Sequence, residues 1–127
     1  MKILLDTHTF LWFLGGASEL SKRARTLIES PEHEKYISIA SFWEIAIKNS
    51  LGKLTLEVPF SELKIEAIKS SFQILPVTFE DTLQLIKLPF HHRDPFDRII
   101  ISQAKENNLT LVSCDVHFNQ YDVSLLW

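Results

Sequence analysis

Four carboxylates, Asp6, Glu44, Asp97 and Asp115, stand at or beside the junctions between apolar segments of the chain. Each has an ordinary use when taken alone. Asp6 reads equally as an N-cap for the segment that follows it. Glu44 lies three residues after Ser41 and matches an S-x-x-E capping box, the better reading for that residue by itself. In Asp94-Pro95-Phe96-Asp97, Asp94 is the natural cap and Pro95 the first helical residue, so Asp97 is left free to point past the helix end. Asp115, after an apolar run, reads alone as a turn residue. As a set on one rim, however, the four would repel: two like charges about 4 Å apart cost roughly 4 kcal/mol at an effective dielectric of about 20. Such a site holds either extra protons or a cation. Carboxylates beside helix N-termini and solvent favour ionisation and hence the cation, and all-oxygen ligation suits Mg²⁺ or Mn²⁺ rather than zinc. The histidines give no zinc spacing. His91 and His92 are adjacent, His8, His33 and His117 are scattered, and all read as solvated loop residues.

The elements that must position these acids follow from apolar patterning. Residues 2–5 read as a buried strand ended by Asp6, and 7–14 as a short aromatic helix closed by Gly15-Gly16. Ser18 or Ser21 caps a helix carrying Ala24, Leu27 and Ile28 on one stripe. Residues 35–39 read as a second strand, 41–51 as a helix ending at Gly52, and 53–58 as a turn or edge hairpin. Phe60, Leu63, Ala67, Ile68 and Phe72 fall at near-helical spacing. A third strand over 72–77 precedes a helix over 80–87 capped by Thr78, a loop over 88–94 and a helix over 95–107. Residues 109–113 and 123–126 complete the strands. Strands alternating with helices imply an α/β fold, a mainly parallel sheet with helices on both faces in three α/β/α layers. Ligands of such sheets bind beyond the carboxyl ends of the strands, where Asp6 and Asp115 fall directly.

Composition bounds the rest. The 127 residues, 46% hydrophobic with a net charge of −3, fit one domain over 1–127 and argue against intrinsic disorder. The longest apolar or glycine run, Phe10 to Ala17, is far short of the roughly 20 residues of a membrane helix. Asp6 interrupts any secretory signal, and the single Cys114 can close no disulfide within the chain, so a cytoplasmic location is expected. Bulk charge neither favours nor excludes nucleic acid: thirteen basic residues face sixteen acidic ones, and tying four acids to metal leaves a near-neutral remainder. Lys48, one turn after Glu44, reads first as a solvated helix face and second as a phosphate contact. Arg93 and Arg98 flank Asp94 and Asp97 and suit bidentate phosphate contact, although Arg98 reads equally as a partner for Asp94 or a glutamate. The Phe10–Leu14 run reads mainly as core, with part of it available to a partner.

Ile3-Leu4-Leu5-Asp6-Thr7-His8, Ser41-Phe42-Trp43-Glu44-Ile45-Ala46-Ile47-Lys48, His92-Arg93-Asp94-Pro95-Phe96-Asp97-Arg98 and Leu111-Val112-Ser113-Cys114-Asp115-Val116-His117-Phe118 together resemble the PIN-domain nucleases over essentially the whole chain. Among these the resemblance is to the small VapC-like toxins with an HRDPFDR-type loop. It implies a metal-dependent endoribonuclease whose catalytic acids, Asp6, Glu44, Asp97 and Asp115, gather Mg²⁺ or Mn²⁺. Asp6 and Asp97 would be the principal ligands, Glu44 the mid-chain helix acid and Asp115 the fourth, often water-mediated. Thr7 and Ser113 would be supporting hydroxyls. Ser113 stands where many relatives carry threonine, and His8 where many carry serine. The resemblance further implies an RNA substrate, a cognate antitoxin and a homodimer. Two rival readings remain. One is a catalytically inactive PIN-like module that binds nucleic acid or protein. The other is a different Mg²⁺-dependent phosphoryl hydrolase, although Asp6-Thr7-His8 lacks the DxD pair of a dehalogenase-type phosphatase and Leu75-Pro76-Val77-Thr78 holds no phosphoacceptor acid as a receiver domain would need.

Overall fold

The strand Ile3-Leu4-Leu5 is wholly buried, which is what a continuous apolar run predicts for a strand covered on both faces. The computed structural model describes every residue, Met1–Trp127, and places this strand at the centre of a five-stranded sheet. The strands are β1 (Lys2–Leu5), β2 (Glu34–Ser38), β3 (Phe72–Leu75), β4 (Thr110–Val112) and β5 (Leu125–Leu126), in the order β3-β2-β1-β4-β5 with every pair parallel. Six helices join them: α1 (Thr7–Gly15), α2 (Lys22–Glu29), α3 (Ile39–Ser50), α4 (Leu63–Lys69), α5 (Phe79–Lys87) and α6 (Pro95–Glu106). Short 3-10 segments cover Phe60–Glu62 and Val116–Gln120.

Alternation along β1 divides the core in two. Ile3 and Leu5 meet Phe10 of α1, Ala24 and Ile28 of α2, Ile45 of α3 and Ala67 of α4 on one face. Leu4 meets Ile100, Ile101 and Ala104 of α6 with Leu111 and Phe118 on the other. The three layers expected from the alternation of strands and helices are therefore present, and the sheet is parallel throughout.

Several boundaries differ from the sequence reading, each for a local reason. β2 ends at Ser38 and Ile39 already belongs to α3, because the Ser38 hydroxyl accepts from the Ala40 N–H at 3.0 Å and starts the helix two residues early. β3 stops at Leu75, before Pro76, which has no N–H for a ladder. Residues 53–58 form no strand; Leu54, Leu56 and Val58 pack on the core instead. Of the two candidate caps for α2, Ser21 is used, accepting from Ala24 at 3.0 Å. Gly16, at φ 63°, closes α1 in the left-handed conformation that a side chain disfavours. Phe10 lies in the core with the half-buried Leu11, Trp12, Phe13 and Leu14 packed against it, so this run serves mainly as core. No helix is long and apolar enough to cross a membrane.

Candidate active site

A parallel sheet delivers the carboxyl ends of β1, β2 and β4 to one rim, and the residues just past those ends are Asp6, the start of α3, and Ser113. Asp6 serves two ends at once. Its Oδ1 caps α1 by accepting from the Thr9 N–H at 2.9 Å, while Oδ2 accepts from the Ser113 hydroxyl. The capping and rim readings of Asp6 therefore both hold, one oxygen each. Next to it, the buried Thr7 hydroxyl donates to Glu44 Oε1 at 2.7 Å and lies 2.9 Å from Ser41 Oγ. Glu44, only 3% exposed on α3, takes Lys48 Nζ on its other oxygen. The capping-box reading of Glu44 is corrected here. Ser38 caps the helix, Ser41 lies inside its first turn, and the Glu44 carboxylate turns toward Thr7 rather than toward the helix end.

On the opposite side, Asp94 caps α6 by accepting from the Phe96 N–H at 2.8 Å and the Asp97 N–H at 3.2 Å. Asp97 is left facing the rim, its Oδ2 2.9 Å from His92 Nε2. Asp115 Oδ1 accepts from the His117 N–H at 2.9 Å and so begins the second 3-10 segment; its Oδ2 is 3.1 Å from the same His92 nitrogen. The Asp115 N–H in turn donates to Ser113 Oγ at 3.1 Å. Hydrogen bonds thus link Asp6, Ser113, Asp115 and His92 in one chain, Asp97 lies against the same His92 nitrogen, and Glu44 is joined through Thr7, the neighbour of Asp6.

The electrostatics follow from this crowding. Burial pushes the Asp6 carboxyl up despite the donors Ser113 and Thr9. Asp97 is pushed up to about 8, by burial first and then by Asp94, Asp6, Glu44 and Asp115, so it feels each of the other three site acids. Burial also acts on Asp115, but the backbone and ring of His117, together with His92, outweigh it and hold that carboxyl below its usual range. The hydrogen bond from Lys48 to Glu44 raises the lysine and keeps it charged. Lys48 is the one ammonium bonded to any of the four acids. The donors are hard oxygens with an excess of negative charge that a divalent cation would relieve, and the set fits Mg²⁺ or Mn²⁺ in both respects. His92, Asp115 and His117 also each bring a ligand atom within 4.8 Å of the others.

His92 departs from the sequence reading. It is no solvated loop residue, since its side chain is 13% exposed and bridges two acids. Only its register, two residues before the Asp94 cap, hinted at this. Arg98 is also corrected, against both of its sequence readings. It is 6% exposed, and its guanidinium faces backbone carbonyls, the nearest being Pro89 O at 2.9 Å, rather than a phosphate or an acid. Arg93 is exposed beside the rim, and Lys48 is half-exposed while bound to Glu44.

Solved structures share this architecture. The chain is similar to VapBC2 from Rickettsia felis bound to a DNA fragment from its promoter, at 16% identity and a TM-score of 0.71, over 99% of this chain and 98% of the other. It is similar to a toxin–antitoxin complex from Klebsiella pneumoniae at 16% identity and a TM-score of 0.67, over 98% and 96% of the two chains. It is similar also to VapC20 of Mycobacterium tuberculosis, a sarcin–ricin loop cleaving toxin, at 14% identity and a TM-score of 0.62, over 95% of each chain. No curated protein matches in sequence. The PIN domain family model matches residues 3–124, and the chain belongs to the PIN domain family.

Proposed function

We propose that the protein is a Mg²⁺- or Mn²⁺-dependent endoribonuclease and the toxin of a toxin–antitoxin pair, acting in the cytoplasm on RNA. The observation that carries this reading is the meeting of Asp6, Glu44, Asp97 and Asp115, up to 109 positions apart in sequence, on one hydrogen-bonded rim. Asp6 and Asp97 are the principal metal-holding residues, with Asp115 and Glu44 completing the set. Once bound, the cation lowers the pKa of its water and polarises a phosphoryl oxygen. The protein's own groups do the rest. Ser113 fixes the direction of Asp6 Oδ2, and Thr7 with Lys48 fixes Glu44 as an outer ligand or water-orienting base. The exposed Arg93 and the half-exposed Lys48 are placed to meet RNA phosphates.

The partners proposed are an antitoxin protein and a second copy of this chain. The first is supported by the toxin–antitoxin complex among the similar structures, and the second by an apolar groove between α3, α5 and α6 lined by Ile39, Trp43, Val77, Leu85, Phe96 and Ile99.

The purified chain is expected to cleave RNA with Mg²⁺ or Mn²⁺ and to lose cleavage on chelation and in Asp97→Asn. Equal RNA affinity with and without metal, and no cleavage of any RNA, would instead identify a binding module. Expression should arrest growth, and an antitoxin encoded beside the gene should relieve it; normal growth at high levels of folded protein contradicts the toxin role.

A further inference from the structure

The loop between Leu88 and Asp94 has no regular structure, yet it is tightly held. The Arg98 guanidinium donates to Pro89 O at 2.9 Å and to Leu85 O and Leu88 O at 3.4 Å each, with a longer contact to His92 O at 3.5 Å. It also lies 4.0 Å from the centre of the Phe90 ring. From the other side Tyr121 donates its hydroxyl proton to Pro89 O at 2.8 Å and accepts from the His92 N–H at 2.9 Å. The backbone of His92 is thus fastened by two buried side chains, and its ring is carried into the space between Asp97 and Asp115.

The ring could act there in two ways, and the hydrogen bonds choose between them. The separations among His92, Asp115 and His117 would allow the ring to be a metal ligand through Nε2. A ligand nitrogen must offer its lone pair, so the ring's proton would have to sit on Nδ1. That nitrogen, however, receives the Asp94 backbone N–H at 3.2 Å, and a backbone N–H can only donate. Placing the proton on Nδ1 would set two donors against each other and disturb the residue that caps α6. The proton therefore lies on Nε2, which donates to Asp115 Oδ2 at 3.1 Å, with Asp97 Oδ2 2.9 Å from the same nitrogen. We infer that His92 is a positioning residue whose Nε2–H, donated to Asp115, holds that carboxylate beside Asp97, and that it is not a metal ligand.

The inference deepens the nuclease reading and rests on it for the identity of the metal-holding acids. It also gives the motif a division of labour: Asp94 caps the helix and locks the imidazole, Arg98 and Tyr121 hold the loop, and His92 aligns two carboxylates that belong to different elements. Residues that orient ligands in this way typically change metal affinity by about 10–100-fold when removed.

The test uses the full chain and reads no cleavage. Long-range proton–nitrogen NMR of the histidine rings, with and without saturating Mg²⁺, is expected to show His92 protonated at Nε2 and bare at Nδ1 in both states. A proton on Nδ1, or loss of the Nε2 proton when Mg²⁺ is added, overturns the inference. Calorimetric Mn²⁺ titration is expected to show a loss of about 10-fold or more in His92→Ala. Most of that loss should be recovered in His92→Gln, whose amide N–H can reach the same oxygens. Unchanged affinity in His92→Ala, or an equal loss in both variants, overturns it. If His92→Ala does not fold, the tautomer in the unaltered chain and the titration of His92→Gln still decide. A chain that keeps this tautomer and binds the ion but cuts no RNA overturns the nuclease reading alone.

Discussion

With its carboxyl pushed up to about 8 by burial and by Asp94, Asp6, Glu44 and Asp115, Asp97 keeps at neutral pH a proton that an unfolded aspartate would have lost. Between the ordinary value of 3.8 and about 8, the folded chain therefore binds more protons than the unfolded one. By linkage, stability without metal must fall as pH rises through that window, and Asp6, shifted in the same direction, adds to the trend. Urea denaturation of the metal-free protein is expected to lose up to a few kcal/mol between about pH 5 and about pH 8.5. Asp97→Asn should flatten the profile and be the more stable protein at the alkaline end. Mg²⁺ at about a hundredfold excess over its dissociation constant should return about 2.7 kcal/mol to the unaltered chain. A flat profile in both proteins contradicts the crowding argument. The acids themselves were legible in sequence because their residue types and junction positions point to one rim. His92 was not, because its meaning depends on Asp115, 23 positions away, and on a backbone N–H that only the folded loop aims at its ring.

Helix α6 shows how one element can hold a site at its start and a core along its length. Asp94 and Pro95 announce its N-terminus, and Ile100, Ile101 and Ala104 carry its buried face. Arg98, three positions before Ile101, lies on that same face, so periodicity alone could have placed it inward. Its positive charge instead drew the phosphate and acid readings, whereas the carbonyls of an irregular loop supply its partners. The two arginines of the motif should therefore separate in experiment. Arg98→Ala strands buried carbonyls and is expected to cost about 1–3 kcal/mol in thermal or urea unfolding. Arg93→Ala, at an exposed position, is expected to leave stability within about 0.5 kcal/mol and to lower the salt dependence of RNA binding by about one phosphate contact. The reverse pattern would restore Arg98 as a substrate contact. The α3 boundary was misread for a comparable reason: Ser38 and Ser41 both suit a cap, and only the end of β2 determines which is used.

At the scale of the whole molecule, the all-parallel order β3-β2-β1-β4-β5 makes the rim, because every strand ends on the same side. That much followed from the alternation of apolar runs with helical ones. The outer surface was less legible, since the aromatic Phe10–Leu14 run drew attention while the most exposed aromatic rings among Phe and Trp are Trp43 at 64%, Phe79 at 72% and Phe90 at 80%. If the groove beside Trp43 joins two copies, Trp43→Glu should give a monomer in sedimentation with unfolding shifted by no more than about 0.5 kcal/mol; an unaltered mass would remove this face from the interface. The other edge of the sheet carries a different consequence. Ser113, whose hydroxyl orients Asp6, donates its own backbone N–H to Leu126 O at 3.1 Å. Deleting residues 125–127 should therefore weaken Mn²⁺ binding even though it removes no acid, as calorimetry would read. During synthesis, Leu126 leaves the ribosome after all four carboxylates, so a nascent chain bears the whole acid set before the strand that steadies Ser113 can join the sheet.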